Sequence, residues 1–256
     1  MVYLYRNESV MKTLKQLTNP LFILLLAASI TTVGCNSNNG DTVPGTTSTA
    51  VDNSVSVDDA VSNDAVDTSP LDTFNVDELK DELATLPLDS PSSEESDGLL
   101  YMREEEKLAR DVYIYMFTQW NLKVFDNISQ SEQTHTDAIL ALLERYSIAD
   151  PVADNDEGVF EDAYLQTLYD NLIIKGSLSL VGSLYVGAEI EEIDIIDIQN
   201  QVDALEGNED IATVYKNLIE GSKNHLRAFV KNLASQGVDY SPLHLSQDVY
   251  DAIIKD

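Results

Sequence analysis

From Leu99 onward, apolar residues return at alternating spacings of three and four, the period of a helix that buries one face. The pattern predicts four long helices, over 99–120, 127–146, 177–205 and 209–235. A shorter helix is predicted between the second and third, over 161–174, and a last short one over 246–254. Loop chemistry such as Asp150-Pro151 and Gly207-Asn208 separates them, and no convincing alternating strand pattern appears. Helices of this length bury their stripes best against one another. The expected fold is therefore all-α, a four-helix bundle with a short extra helix between bundle helices two and three and a short C-terminal helix.

The stripes carry charge where a core should be apolar. Helix one lines up Leu99, Met102, Glu106, Ala109, Tyr113, Met116 and Trp120. Helix two lines up Ile128, Glu132, His135, Ile139, Leu142 and Tyr146. Helix three gives Leu184, Ala188, Glu191, Ile195, Ile198 and Val202, and helix four gives Leu218, Ser222, His225, Phe229 and Leu233. A buried carboxylate without a partner is costly, and Asp and Glu are almost never fully buried unless they are paired or bound to metal. Three inward Glu and two of the three His suggest a shared partner. A metal ion is the simplest one, because carboxylate oxygens and neutral imidazoles suit iron, manganese or zinc. The competing expectation is an ion-pair network with Arg103, Arg110 or Arg227. In the triplet Glu104-Glu105-Glu106 only Glu106 falls on the seam, so its neighbours are expected on a solvated face. Tyr113 and Tyr146 read as core or hydrogen-bonding residues, and His244 reads as a surface residue without a role.

At these positions the chain resembles the ferritin-like superfamily of di-iron carboxylate proteins, rubrerythrins in particular. Glu106-Lys107-Leu108-Ala109-Arg110-Asp111-Val112-Tyr113 is similar to the first-helix pattern Glu-x-x-Ala-Arg-x-x-Tyr. Glu132-Gln133-Thr134-His135 is similar to the second-helix Glu-x-x-His. More closely, Met102 to Tyr113, Ile190 to Ile195 and Ser222 to Phe229 resemble the bacterial and archaeal family called domain of unknown function 2202, which is classed as ferritin-like. The resemblance implies that Glu106 is a terminal iron ligand, that Glu132 bridges two metals and that His135 binds one. Glu191 and His225 complete the expected set. Ser222 departs from the pattern, since a second Glu-x-x-His would place Glu three residues before His225. Asp194, one turn beyond Glu191, is the residue that could turn in to restore a sixth ligand, whereas Glu189, Glu192 and Glu220 lie on stripes that look more exposed. An altered di-metal centre, a single-metal centre and a metal-free polar core all stay open on the sequence.

Residues 1–35 change the expected location. Arg6, Lys12 and Lys15 precede the apolar run 21–28, and small residues lead to Gly34-Cys35. That is a secretory signal, with Met1 or Met11 as its start, and the apolar run is too short to span a bilayer. Its end resembles a lipoprotein signal, which makes Cys35 the lipidation site. Thr32 stands where that signal usually has Leu. Residues 36–98 carry 15 acids against Lys80 alone, and this low-hydrophobicity stretch reads as a disordered tether. A short amphipathic piece near 76–86 is the exception that can form a helix and dock. Residues 99–256 form the bundle domain.

The formal net charge of −30 repels phosphate backbones, and no basic run offers a nucleic-acid footprint. With one Cys there is no intramolecular disulfide, no Cys-based zinc or rubredoxin site and no electron-delivery module of that kind. The expected protein is exported and lipid-anchored in the bacterial cell envelope. It binds iron, as a di-iron centre or with manganese or zinc in its place, and works on oxygen or peroxide. A metal-storage module without turnover and a structural envelope domain are the alternatives, and a homodimer is the assembly considered.

Overall fold

The computed structural model of the chain describes residues 74–153 and 155–255. Cys35, the signal and residues 36–73 of the expected tether lie outside them. Among the described residues there are seven helices and no strand: α1 (Val76–Leu83), α2 (Ser93–Trp120), α3 (Lys123–Tyr146), α4 (Ala163–Gly176), α5 (Leu180–Asp203), α6 (Glu209–Ser235) and α7 (Gln247–Lys255). The all-α expectation holds. The predicted span 209–235 coincides with α6, α2 and α3 differ from expectation only at their starts, and α4, α5 and α7 are shifted by one to three residues at both ends.

Those differences have local causes. α2 begins at Ser93 rather than Leu99 because Ser92 and Glu95 form a reciprocal capping box ahead of the apolar stripe. α3 begins four residues before the predicted 127, because Asn121 takes a left-handed conformation (φ 49°) that closes α2 and turns the chain into α3 within two residues. α5 starts at Leu180, where the Ser179 hydroxyl accepts from the Gly182 amide. Of the stretch 36–98 expected as a tether, residues 74–98 are structured. The docking piece is α1, whose Leu79 and Leu83 are buried in the core, and Glu95 is buried as well.

The four long helices pack as two hairpins, α2 with α3 and α5 with α6. The hairpins meet through α3 against α6 and α2 against α5. α4 crosses between them and packs on both α2 and α5. Glu95 fastens the ends together: its carboxylate accepts from the Ser92 amide, from the Glu206 amide and from Asn208 at the head of α6.

Two apolar clusters fill the bundle. One contains Tyr113, Met116, Phe125, Ile128, Leu184, Leu226 and Phe229, and the other contains Leu99, Met102, Ile139, Leu142, Ile198, Val214 and Leu218. On every long helix, the inward ionisable or hydroxyl residues stand between members of these two clusters along the chain. The fold thus encloses one polar layer between two apolar ones, and burial within it follows from the helical period alone.

Candidate metal centre

Glu106 on α2, Glu132 and His135 on α3, Glu191 and Asp194 on α5, and His225 on α6 are all buried, the two histidines completely. Glu132 is the hub. One of its oxygens, Oε2, lies 3.0 Å from His135 Nδ1, and the other, Oε1, lies 2.9 Å from His225 Nδ1. Glu106 Oε2 approaches His135 Nδ1 at 3.2 Å, and Glu191 Oε2 approaches His225 Nδ1 at 3.4 Å. The layer therefore has two halves, Glu106 with His135 and Glu191 with His225, joined by the carboxylate of Glu132. Ligand atoms of Glu132, His135 and His225 all fall within 4.8 Å of one another.

The surroundings orient these groups. Ser131 Oγ lies 2.7 Å from His225 Nε2, which engages one ring nitrogen and leaves Nδ1 directed at the carboxylates. Tyr113 donates its hydroxyl to Glu191 and also reaches the Gly187 carbonyl at 3.3 Å. The two imidazoles stack, centroids 5.3 Å apart, and Phe74 stacks with His135 at 6.1 Å. Gly221 makes this possible, since a Cβ there would fall 2.4 Å from His135 Nε2.

Asp194 is the residue that joins the layer where Ser222 lacks a carboxylate. Ser222 bonds Asp194 and, one turn back, lies 2.9 Å from the Leu218 carbonyl. Four buried carboxylate oxygens of the layer, Glu106 Oε1, Glu132 Oε2, Glu191 Oε2 and Asp194 Oδ1, make no hydrogen bond. Among the described residues, no Lys or Arg pairs with any of the four acids. Arg103 is engaged by Asp150 and the Thr136 carbonyl, Arg110 by Asp111 and Gln133, and Arg227 by the Ile253 carbonyl and Asn224. The arginine network considered on the sequence does not form.

Electrostatics follow from burial around one hub. Desolvation pushes Glu106 and Glu191 up to about 7, although the neighbouring imidazoles pull the other way. Desolvation and the charges of Glu106, Glu132 and Glu191 raise Asp194 well above the usual carboxylate range. Burial opposes charge on Glu132, His135 and His225, but their mutual attraction wins. Glu132 is lowered, His135 is raised well above an ordinary imidazole, and His225 is held at about 9.

Several residues stand where the sequence did not place them. Glu104 and Glu105 are buried, not solvated. Glu104 accepts from the Glu161 and Asp162 amides at the head of α4, and Glu105 lies against Tyr101. Glu192 is also buried and holds the segment before α7, accepting from Tyr240 and the amides of Leu243, His244 and Leu245. Glu189 pairs with Lys175 and His244, and Glu220 pairs with Lys223, so neither joins the layer. Ser131, Gly221 and Phe74 were not anticipated as site residues. Ser131 and Gly221 adjoin anticipated positions, whereas nothing in the helical period points to Phe74.

Residues 95–256 match the protein family described as "Uncharacterized protein domain (DUF2202)". The chain belongs to this family. It is 48% identical over 172 residues to the uncharacterized protein MJ0754 of Methanocaldococcus jannaschii, an alignment that spans 67% of this chain and 92% of that protein. The crystal structure of the hypothetical protein MJ0754 from Methanococcus jannaschii DSM 2661 superposes with a TM-score of 0.65, covering 67% of this chain and 97% of that one. The family match begins at Glu95, within the capping box of α2, so α1 and Phe74 precede the matched region.

Proposed function

We propose that this protein is an exported, ferritin-like iron protein whose core holds two metal ions and supports redox chemistry with oxygen or peroxide. The observation that carries the reading is the composition of the polar layer: four buried carboxylates and two buried imidazoles, with no Lys or Arg paired to the acids among the described residues. Four ionised carboxylates and two neutral imidazoles balance two divalent cations in charge. The donor set suits iron, with manganese and zinc as competitors. The two-hairpin bundle with a crossing helix, and Glu132 placed between two histidines, support the ferritin-like reading.

In this reading Glu106 and His135 hold one ion, Glu191 and His225 hold the other, and Glu132 serves both. Asp194, steadied by Ser222, supplies the remaining carboxylate, and Ser131 and Tyr113 fix the directions of His225 and Glu191. The apolar clusters on either side exclude bulk water. Bound iron would supply the electrons for reduction of oxygen or peroxide. Export and a lipid anchor at Cys35 are supported by the basic, apolar and small-residue succession of residues 1–35.

Elemental analysis of the purified protein beside a Glu132→Ala/His135→Ala variant tests the reading. The expected result is about two ions per chain, lost in the variant, as first-coordination ligands require. Peroxide-dependent oxidation of bound ferrous iron then separates redox activity from storage. A protein that stays metal-free after reconstitution, with unchanged stability, would overturn the metal reading.

A further inference from the structure

A second set of acids lies beside the core layer, at the α2–α5 interface. Glu105 retains only 4% of its exposure, and Asp197 on α5 is partly buried. The Tyr101 hydroxyl reaches both carboxylates, Glu105 Oε1 at 3.3 Å and Asp197 Oδ2 at 3.5 Å. Glu105 Oε2 is buried with no donor group to accept from, and the Asp197 carboxylate neighbours the same side chain. Among the described residues, no Lys or Arg pairs with either acid. Two neighbouring carboxylates repel each other, and although Asn200 and His244 also face Asp197, a shared proton or a bound cation relieves that repulsion at the buried Glu105.

We propose that Glu105 and Asp197, with the Tyr101 hydroxyl between them, form a second cation site that takes a hard divalent ion such as Mn²⁺ through oxygen donors alone. The chemistry differs from that of the core layer, where two imidazoles favour iron or zinc, because an all-oxygen set selects hard ions that keep part of their water shell. Partial exposure of Asp197 leaves room for those waters. The free Glu105 Oε2 is the donor that the packing leaves available. The inference does not depend on metal occupying the core.

The test is equilibrium dialysis of the full metal-free chain against Mn²⁺, with bound ions counted by electron paramagnetic resonance. The unsubstituted protein, Glu105→Gln/Asp197→Asn and Glu132→Ala/His135→Ala are compared. The expected outcome is one Mn²⁺ fewer per chain in Glu105→Gln/Asp197→Asn, and retention of that ion in Glu132→Ala/His135→Ala. Equal stoichiometry and affinity in Glu105→Gln/Asp197→Asn and the unsubstituted protein would mean that the pair only shares a proton, and the site would be overturned. If ions disappear only from the core variant, the core reading survives and this one fails. A single ion lost only with Glu105 and Asp197 gives the reverse. Should the double variant lose its helical circular dichroism, Asp197→Asn alone decides, since that side chain is partly exposed: about tenfold weaker binding of one Mn²⁺ supports the site, and unchanged binding overturns it.

Discussion

Ser222 on α6 hydrogen-bonds Asp194 on α5, so the helix that lacks a carboxylate at this level steadies one supplied by its neighbour. The hydroxyl has one proton and two acceptors within reach, the Asp194 carboxyl and the Leu218 carbonyl. It serves Asp194 when that acid is ionised. Replacing Ser222 with Ala leaves Asp194 in place but unrestrained. Competitive metal titration of Ser222→Ala is expected to show affinity lower by about tenfold, within the usual range for loss of a residue that orients a ligand. Asp194→Asn should lose more, because a ligand and its charge are then both gone.

Gly221 leaves the space that His135 occupies. A methyl group at that position would overlap the imidazole, at 2.4 Å from Nε2 and 2.6 Å from Cε1. Gly221→Ala should therefore displace His135 and weaken metal binding while improving helix propensity by about 1 kcal/mol. Metal content together with thermal melting separates the two effects. Full metal content with His135 undisplaced in a crystal structure of the variant would refute the spatial argument.

Proton competition sets the pH dependence of the core. With no metal bound, the Glu132 and Glu191 carboxylates hold His225 at about 9, and burial holds Glu106 and Glu191 at about 7. Each of these groups must lose its proton to act as a ligand. Apparent affinity should rise with pH from 6 to 9, and metal addition to the metal-free protein at pH 7 should release protons into weakly buffered solution. A pH-independent affinity across that window would contradict the ligand assignment.

Glu95 is lowered despite burial, because amides at residues 92 and 206 and the side chains of Ser92 and Asn208 stabilise its charged form. A folded-state pKa below the unfolded one contributes stability that is present above the unfolded value and lost as pH falls through the folded one. Glu95→Gln should destabilise the protein at pH 7 by about 1–3 kcal/mol. The difference from the unsubstituted protein should shrink below pH 4, as thermal melts at both pH values would show.

Lys107 is a buried ammonium at the head of the crossing segment. It donates to Asp111 and to the carbonyls of Asp156 and Val159, and it sits 4.6 Å from the Phe160 ring centroid. Asp111 also accepts from Arg110 and from the Gly158 amide. Lys107→Met should cost about 3 kcal/mol, the lower end for a broken buried pair, because Arg110 still compensates Asp111. Chemical denaturation measures the loss, and limited proteolysis within 153–162 should accelerate with it.

The helical period was enough to determine the all-α fold, the inward positions of Glu106, Glu132, His135, Glu191 and His225, and the interruption at Ser222, because a residue's face follows from its spacing along its own helix. It misplaced Glu104, Glu105 and Glu192, which lie off those seams. A helix covered on a second side buries a second stripe. The amides at the head of α4 reach Glu104, Tyr101 and Asp197 enclose Glu105, and the segment before α7 closes over Glu192. Those coverings are contacts between elements distant in sequence. Only the tertiary structure decides them, as it decides that Glu132 stands between two histidines and that the three arginines turn to other partners, since each depends on where a neighbouring helix lies and not on the period of the residue's own.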